Sequence, residues 1–359
     1  MKYGYLGAIV AVAALVATGC SDSDTASATT ASGDIACGGK SELVGSGSTA
    51  QSNAMDGFVE AYTKACAGKG VRYTANGSGA SVSEFIGGKT DFGGTDSTLS
   101  AEEANRAKDR CGADAWHLPV VFGPLSIVFN LAEVDTLALD APTLARIFNG
   151  EIDRWDDPAI TRLNQSMPAL PIKVIHRADE SGSTDAFQRY LDAASDGMWT
   201  KDAGRTWQGI GDGADGNDGV ADKVVDTDGA ISYVEWSFAL ERKLEFANLV
   251  TPASKDPVRI SPESVGKTIA AATKAAQGNN LVLDDASFYT HAEAGAYPIV
   301  LATYELVCSE YADAETAKAV KAFLHSTLAS GQDRLADRGY VPLPAEFLGK
   351  VKSAVDAIS

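Results

Sequence analysis

Two apolar stretches decide the fold that the sequence predicts: LPVVFGPLSIVFNL at residues 118–131 and YPIVLATYELV at residues 297–307. Each run is longer than an ordinary strand of a globular protein. Because the two runs lie far apart in the chain, each is long enough to leave one lobe and enter another. We therefore expect two crossover strands that join two lobes. The alternative interpretation is that both runs are central strands of one sheet.

Around these two runs, short strand-like segments alternate with helical patterns. Residues 172–176 are strand-like, and the apolar residues of two segments fall at helical spacing: Ala54, Met55, Phe58, Val59 and Tyr62, then Phe187, Tyr190 and Leu191. Strands interleaved with helices favour α/β layers with largely parallel sheets. We predict lobe I over residues 37–123 plus 303–359, and lobe II over residues 124–302.

The composition is that of a globular protein with an acidic surface. Of the 359 residues, 45% are hydrophobic and 22% are charged, and the net charge is −18. No run of Lys and Arg stands out, so we expect no nucleic-acid partner, since binding a phosphate backbone requires a clustered basic face. A protein this acidic must bind any anion through local dipoles and buried donors.

The first residues indicate export and a lipid anchor. Lys2 precedes an apolar stretch at 8–16 that is too short to span a bilayer as a helix. Ala17-Thr18-Gly19-Cys20 then resembles a bacterial lipobox. We predict a signal peptide over residues 1–19, lipidation of Cys20 and a flexible tether over residues 20–36. The mature chain would thus be anchored on the extracytoplasmic face of the membrane. The alternative is an ordinary signal peptide with an incidental cysteine.

Four cysteines remain in the mature chain: Cys37, Cys66, Cys111 and Cys308. An even number in an exported protein indicates two disulfides, and four cysteines allow three pairings. We favour Cys66 with Cys111, since both end predicted helices in the same lobe, which leaves Cys37 for Cys308. No two cysteines have the spacing of zinc ligands, so we expect no metal.

Three loops share one design, in which glycines and hydroxyl residues stand where a strand gives way to a helix. They are GSGST at 45–49, NGSG at 76–79 and SGST at 181–184. Glycine lets backbone N–H groups turn toward a ligand, and a helix N-terminus adds unsatisfied donors and a positive dipole. A single loop of this kind is explained by ordinary helix capping. Three such loops in one chain predict an anion site.

The third loop follows an arginine that suits an oxyanion. Arg177 stands at the end of a predicted strand, which is where ligands bind in open α/β sheets. Its planar guanidinium can donate two parallel hydrogen bonds. We expect Asp179 to orient this arginine.

Asp96, in DFGGTD at 91–96, is unexpected in an anion site. Alone it suggests a helix cap before Leu99. Phosphate near neutral pH still carries a proton, however, and can donate it to a carboxylate, whereas sulfate has none. An aspartate among the donors would therefore accept a hydrogen bond from the protonated oxygen of phosphate. With sulfate, the carboxylate would face another acceptor and neither would have a donor.

Together these motifs resemble the phosphate-specific substrate-binding proteins of ABC importers, in the same order and over nearly the whole mature chain. The segments that carry the resemblance are 45–50, 76–81, 91–96, 139–160, 176–184, 216–221 and 229–237. The resemblance implies a type II periplasmic-binding-protein fold, with two α/β lobes around a ligand cleft. It also implies capture of phosphate without a chemical step, no cofactor, and delivery to permease subunits in the membrane. We expect a monomer.

By motif, the resemblance carries eight residues to the phosphate site: Thr49, Ala50, Ser78, Asp96, Arg177, Ser181, Gly182 and Ser183. The Ala50 N–H would serve where the family often has an aromatic residue. Glu180 replaces a common glycine, and we expect it to point to solvent. Ser183 followed by Thr184 stands where a threonine is usual, so either hydroxyl could reach the ligand.

Three alternatives remain open. The same binding site could serve a receptor-like surface antigen or a phosphate sensor. The same site could take another oxyanion, namely sulfate, molybdate or a phosphonate. A serine-dependent phosphate-ester hydrolase would need a base, and His176 is placed beside Arg177. We expect His176 to pack at the end of its strand instead, and the sequence contains no G-x-S-x-G motif.

Overall fold

Strands and helices alternate along nearly the whole chain. The computed structural model describes residues 35–275, 278–284, 286–290 and 293–359. The strands are β1 (Glu42–Gly47), β2 (Gly70–Ala75), β3 (Phe92–Thr95), β4 (Ala115–Phe129), β5 (Ala138–Asp140), β6 (Lys173–Arg177), β7 (Asp212–Ala214), β8 (Ala230–Glu235), β9 (Glu245–Phe246), β10 (Asn248–Val250) and β11 (Val300–Cys308).

The helices lie between these strands and after β11. They are α1 (Ser52–Ala65), α2 (Ser78–Ile86), α3 (Ala101–Cys111), α4 (Ala141–Asn149), α5 (Pro158–Thr161), α6 (Gly182–Ala194), α7 (Gly216–Val225), α8 (Trp236–Arg242), α9 (Pro262–Ala275), α10 (Ala286–Tyr289), α11 (Ala314–Thr327) and α12 (Ala345–Asp356). Short 3₁₀ turns follow α11 at Ser330–Gln332 and Ala336–Arg338.

One continuous sheet runs through the molecule in the order β2-β1-β3-β11-β4-β8-β6-β7, with β9 paired to β4, while β10 and β5 form a separate pair. The outer strands pair in parallel, as expected: β1 with β2 and β3, and β6 with β7 and β8. The centre differs from the expectation. Strand β11 is antiparallel to β3 and β4, and β4 is antiparallel to β8.

The two stretches that decide the fold form the two central strands, β4 and β11, and they pair with each other. Strand β4 pairs with β11 from Ala115 to Pro124 and with β8 from Leu125 onward. The change of partner falls next to the predicted boundary between residues 123 and 124. One strand therefore takes part in both halves of the sheet, with all but its first two residues buried.

The helices bury the faces that the sequence spacing indicates. In α1, Ala54, Met55, Phe58 and Tyr62 are buried, while Val59 lies at the edge of the core. In α6, the buried residues include Phe187, Tyr190 and Leu191. Burial of these apolar faces against the sheet holds each helix in place, so the N-termini of α1 and α6 are fixed at the edge of the sheet.

The favoured disulfide pairing is wrong. The structure joins Cys37 to Cys66 and Cys111 to Cys308, with Cα atoms 5.3 and 5.5 Å apart. The connecting helix α1 returns the chain to the edge of the sheet where β1 begins, which brings Cys66 to Cys37. Cys308 pairs with Ala115 in the antiparallel register of β11 and β4, so it lies beside the end of α3. Which cysteines lie next to each other therefore depends on how the strands pair, and not on whether two helices end in the same lobe.

Residues 1–34 lie outside the described residues, and the predicted signal peptide and Cys20 with them. The predicted tether, residues 20–36, falls there too except for its last two residues. From residue 35 onward, and leaving aside the undescribed positions, no helix is both long and apolar enough to cross a bilayer.

Candidate functional site

Three loops meet at the carboxyl ends of parallel strands. Loop A (residues 48–51) joins β1 to α1, loop B (76–77) joins β2 to α2, and loop C (178–181) joins β6 to α6. The Gly77 N–H donates to the Gly47 carbonyl at 2.9 Å, and the Gly79 N–H donates to the Glu180 carbonyl at 3.0 Å. Loop B therefore contacts the end of β1, directly before loop A, and loop C contacts the start of α2 from the other half of the sheet.

Two glycines permit this close approach. A Cβ atom on Gly182 would lie 2.6 Å from the Asp96 Cβ and 2.8 Å from the Ser78 Oγ, closer than carbon atoms pack. Gly77 has a φ of +95°, and a Cβ there would lie 2.6 Å from an Asp179 carboxylate oxygen. Side chains at either position would push the two walls of the site apart.

Loops A and B, together with Asp96, form the first wall of the site. Asp96 lies at its centre, and its carboxylate accepts hydrogen bonds from three hydroxyl groups. The Ser48 Oγ donates to both carboxylate oxygens at 2.7 Å, the Thr303 Oγ1 donates at 2.8 Å, and the Ser78 Oγ lies 3.3 Å away. Burial raises the pKa of Asp96 above its ordinary value, although these hydroxyls and the charge of Arg177 act in the opposite direction. Such a carboxylate is poised to share a proton with a ligand.

The alternative interpretation of Asp96, a helix cap, is wrong. Helix α3 begins only at Ala101, and its N-cap is Ser100, which forms a capping box with Glu103. Asp96 is therefore available to the site, where the tight turn after β3 places it.

The end of β6 and loop C form the second wall of the site. Arg177 lies in this wall, at the end of β6, and is 2% exposed. Its Nε donates to the Asp179 Oδ1 at 2.7 Å, and its Nη2 pairs with the Asp179 Oδ2, as the spacing predicted. Although burial acts to raise the pKa of Asp179, its hydrogen bonds with Arg177 and the charge of that arginine outweigh burial and keep the pKa low. The carboxylate aligns the guanidinium, whose other N–H groups stay available for an oxyanion.

Thr49 and Ala50 lie in loop A. The Thr49 Oγ1 accepts hydrogen bonds from the backbone and side chain of Asn217, at 3.3 and 3.0 Å, so its own proton stays free to donate. Ala50 is buried, and its carbonyl accepts from the Tyr340 hydroxyl at 2.7 Å. Its N–H group stands just before α1, among the donors that a helix start leaves unsatisfied.

The start of α6 separates its three hydroxyl residues by role. The Ser181 Oγ caps the helix by accepting from the Thr184 N–H at 3.3 Å. The Thr184 hydroxyl lies 2.7 Å from the Tyr233 hydroxyl, and both are buried. The Ser183 Oγ is fully buried and has no hydrogen-bond partner among the described residues. Of the two candidates at this position, Ser183 is therefore the one whose hydroxyl is free for a ligand.

The other residues discussed from the sequence also have definite places. Glu180 is exposed, as expected. The His176 Nδ1 lies 2.9 Å from the Arg177 carbonyl oxygen, and the His176 ring stacks on Trp207, so it packs at the end of β6 as predicted.

Sequence reasoning missed Ser48, Thr303 and Asn217 as parts of the site. Ser48 lies inside a quoted motif, and Asn217 lies in the segment 216–221 that carried the resemblance. Thr303 had no local signal, because only the pairing of β11 with β3 brings it to Asp96.

Comparison with known proteins identifies the family of this chain. The profile of the PBP superfamily domain matches residues 23–327. A phosphate-binding protein PstS 3 from Mycobacterium leprae is 53% identical over 369 residues, covering 100% of both chains.

Solved structures share the fold at lower identity. A high-affinity periplasmic phosphate-binding protein called PfluDING, solved with phosphate bound, matches with a TM-score of 0.68 and 20% identity over 87% of this chain and 93% of that chain. A phosphate-binding protein from Stenotrophomonas maltophilia matches with a TM-score of 0.66 and 18% identity over 88% and 94%. The predicted type II periplasmic-binding-protein fold is confirmed. This chain therefore belongs to the PBP superfamily and, within it, to the PstS family of phosphate-binding proteins.

Proposed function

We propose that this protein captures inorganic phosphate outside the cytoplasmic membrane and delivers it unchanged to an ABC importer. The observation that carries the proposal is the pairing of opposite walls: Asp96 faces Arg177 across converging helix N-termini. The related proteins are named as phosphate-binding proteins, which agrees with the proposal.

The two walls suit phosphate better than other oxyanions. Arg177, the hydroxyls of Ser78 and Ser183, and the first N–H groups of α6 donate to oxygens that carry negative charge. Asp96 can only accept unless it is itself protonated, so an anion that keeps a proton near neutral pH satisfies it. Sulfate and molybdate have no such proton and would leave a buried acceptor facing another. A phosphonate keeps a proton but adds a carbon substituent, and the close contact of loops B and C leaves little room for it.

We further propose that the chain closes around phosphate by moving two lobes, residues 37–123 plus 303–359 and residues 124–302. The change of partner along β4 supports this division. Loops A and B then belong to lobe I and loop C to lobe II, so the ligand lies between them. Ligand contacts made by both lobes stabilise the closed arrangement over the open one.

The location follows from the N-terminal pattern. We propose that Cys20 is lipidated and anchors the mature protein, as a monomer, at the extracytoplasmic face, where the permease subunits of the importer receive phosphate. The two disulfides support an oxidising compartment outside the cytoplasm.

The test is calorimetric titration of protein that has been stripped of bound phosphate, with sulfate as the competitor. We expect saturable one-to-one binding of phosphate, a rise in melting temperature with added phosphate, and little effect of sulfate. Equal binding of sulfate would overturn the choice of ligand in favour of another oxyanion. Hydrolysis of phosphate esters that the Ser183→Ala change abolishes would overturn the binding role in favour of the hydrolase.

A further inference from the structure

Arg205 links the two proposed lobes outside the ring of predicted ligand residues. It lies in the connection between α6 and β7, in lobe II. Its side chain reaches residues of lobe I that precede and begin α3. The Arg205 Nε donates to the Ser97 Oγ at 2.7 Å, and its Nη2 donates to the Thr98 carbonyl at 3.1 Å.

The same guanidinium forms a two-pronged ion pair with Glu103. The Nη1 lies 2.6 Å from one carboxylate oxygen and the Nη2 lies 3.3 Å from the other. The two side chains are 14% and 24% exposed, so water screens the pair much less than it screens a surface ion pair. Burial acts to raise the pKa of Glu103, but Arg205 and the Ser100 N–H outweigh it and keep that carboxylate charged.

The lobe I segment that receives Arg205 is held in place by its own contacts. Ser100 and Glu103 form the capping box of α3, which fixes the Glu103 side chain at the helix start. The Leu99 N–H donates to the His117 Nε2 at 3.1 Å, and the His117 Nδ1 lies 3.0 Å from the Asn280 Oδ1. Burial lowers the pKa of His117, which keeps the ring neutral and able to accept from Leu99. Arg205 therefore meets a surface that is already ordered.

The backbone of Arg205 is tied to the proposed phosphate site. Its carbonyl accepts from the Ser181 N–H at 2.9 Å, directly before the N-terminus of α6. One residue thus holds loop C with its carbonyl and lobe I with its guanidinium. Movement of loop C away from the ligand would have to break the contacts of the guanidinium as well.

We propose that Arg205 is a positioning residue that latches the lobes together over bound phosphate and slows its release. The proposal rests on the function proposed above. In the proposed motion, opening of the lobes would break the contacts with Ser97, Thr98 and Glu103, so these contacts would favour the closed state alone. They should therefore act on dissociation and leave association and the stability of the free protein nearly unchanged.

The test compares Arg205→Gln, Glu103→Gln and the double variant with the wild type. We expect phosphate dissociation, followed by stopped-flow fluorescence, to be about 10-fold faster in each single variant. The double variant should be little faster than either, because the two substitutions remove one shared contact. Association should change by less than about 3-fold.

Arg242→Gln is the matched control. Arg242 pairs with Asp218 and Asp222, and all three residues belong to α7 and α8 of the same proposed lobe. Its loss removes a multivalent ion pair of similar type without touching the other lobe, and should leave dissociation unchanged.

Three results would overturn the latch while leaving phosphate binding intact: dissociation within about 2-fold of wild type, additive effects in the double variant, or a phosphate-free melting temperature that falls as far as the phosphate-bound one. A wild type that does not bind phosphate would instead reject the proposed function. The latch rests on that function and would be rejected with it.

Discussion

The two walls of the site are built on opposite electrostatic principles. In the first wall, which belongs to the proposed lobe I and is called the lobe I wall, hydroxyl groups from three separate segments surround a single carboxylate, Asp96, whose pKa is raised. In the second wall, which belongs to the proposed lobe II and is called the lobe II wall, Arg177 is held by Asp179, whose pKa is lowered. In the proposed function, the second wall would attract any oxyanion, whereas the first would accept only an anion that brings a proton. We therefore propose that affinity and selectivity belong to different walls, and substitutions should separate them.

The largest effect should come from the lobe II wall. Arg177→Gln removes the cation and leaves the Asp179 carboxylate uncompensated beside the anion. We expect the dissociation constant for phosphate to rise about 1000-fold, which corresponds to about 4 kcal/mol. Titration calorimetry would measure it, and Arg177→Gln combined with Asp179→Asn should recover part of the loss. A change under about 10-fold would show that helix dipoles carry the affinity instead.

The lobe I wall should control selectivity. Asp96→Asn replaces an acceptor by a group that can also donate, so sulfate can be bound without two acceptors facing each other. We expect the preference for phosphate over sulfate to fall roughly 100-fold, mainly through stronger sulfate binding. Competition titrations would measure the ratio, with the exposed Asp114→Asn as control. An unchanged ratio would contradict the role assigned to Asp96.

Sequence reasoning predicted the pairing of Arg177 with Asp179 correctly because this wall is nearly continuous in sequence. Arg177, Asp179 and the start of α6 lie within a few residues of one another, so strand, turn and helix patterns sufficed. The lobe I wall is assembled from distant segments. Thr303 reaches Asp96 only because Tyr304 pairs with Thr95 across β11 and β3.

The same limit explains the error in the disulfides and why sequence reasoning did not find the contacts of Arg205. Each depends on which strand ends and loops meet in space, and no local pattern records that. The central strands β4 and β11 were recognisable by length and hydrophobicity. Their antiparallel pairing with each other was not, since an apolar run carries no information about its neighbour's direction.

A second carboxylate, behind the lobe I wall, provides a test of how burial affects the pKa of an acidic group. Glu305 of β11 is fully buried, and neither carboxylate oxygen has a hydrogen-bond partner among the described residues. Burial raises its pKa to about 8, and the charge of Asp96 acts in the same direction. The Gln51 side chain acts in the opposite direction, but burial outweighs it.

The consequence is a loss of stability with rising pH. Between the ordinary glutamate pKa and about 8, the folded protein keeps a proton that the unfolded chain has released, so the contribution of Glu305 falls as pH rises through this range. We expect Glu305→Gln to stabilise the phosphate-free protein by on the order of 3 kcal/mol at pH 8 and hardly at all at pH 4.5. Urea unfolding at both pH values measures this. The exposed Glu315→Gln should show no such difference, and parallel pH slopes for wild type and Glu305→Gln would refute the expectation.

The smallest effect should separate two neighbouring hydroxyls in the lobe II wall. Ser183→Ala removes a buried hydroxyl that has no partner in the described part of the chain, so only ligand binding should suffer, by about 10-fold. Thr184→Val removes one of the hydrogen-bond partners of the Tyr233 hydroxyl and should instead lower the stability of the phosphate-free protein by about 1 kcal/mol. Calorimetry and thermal unfolding of both variants distinguish the two roles. If Thr184→Val weakened phosphate binding and Ser183→Ala did not, Thr184 would be the ligand residue. The lobe II wall would then have to rearrange on binding to free the Thr184 hydroxyl. If the wall is rigid, Ser183→Ala should weaken phosphate binding and Thr184→Val should not.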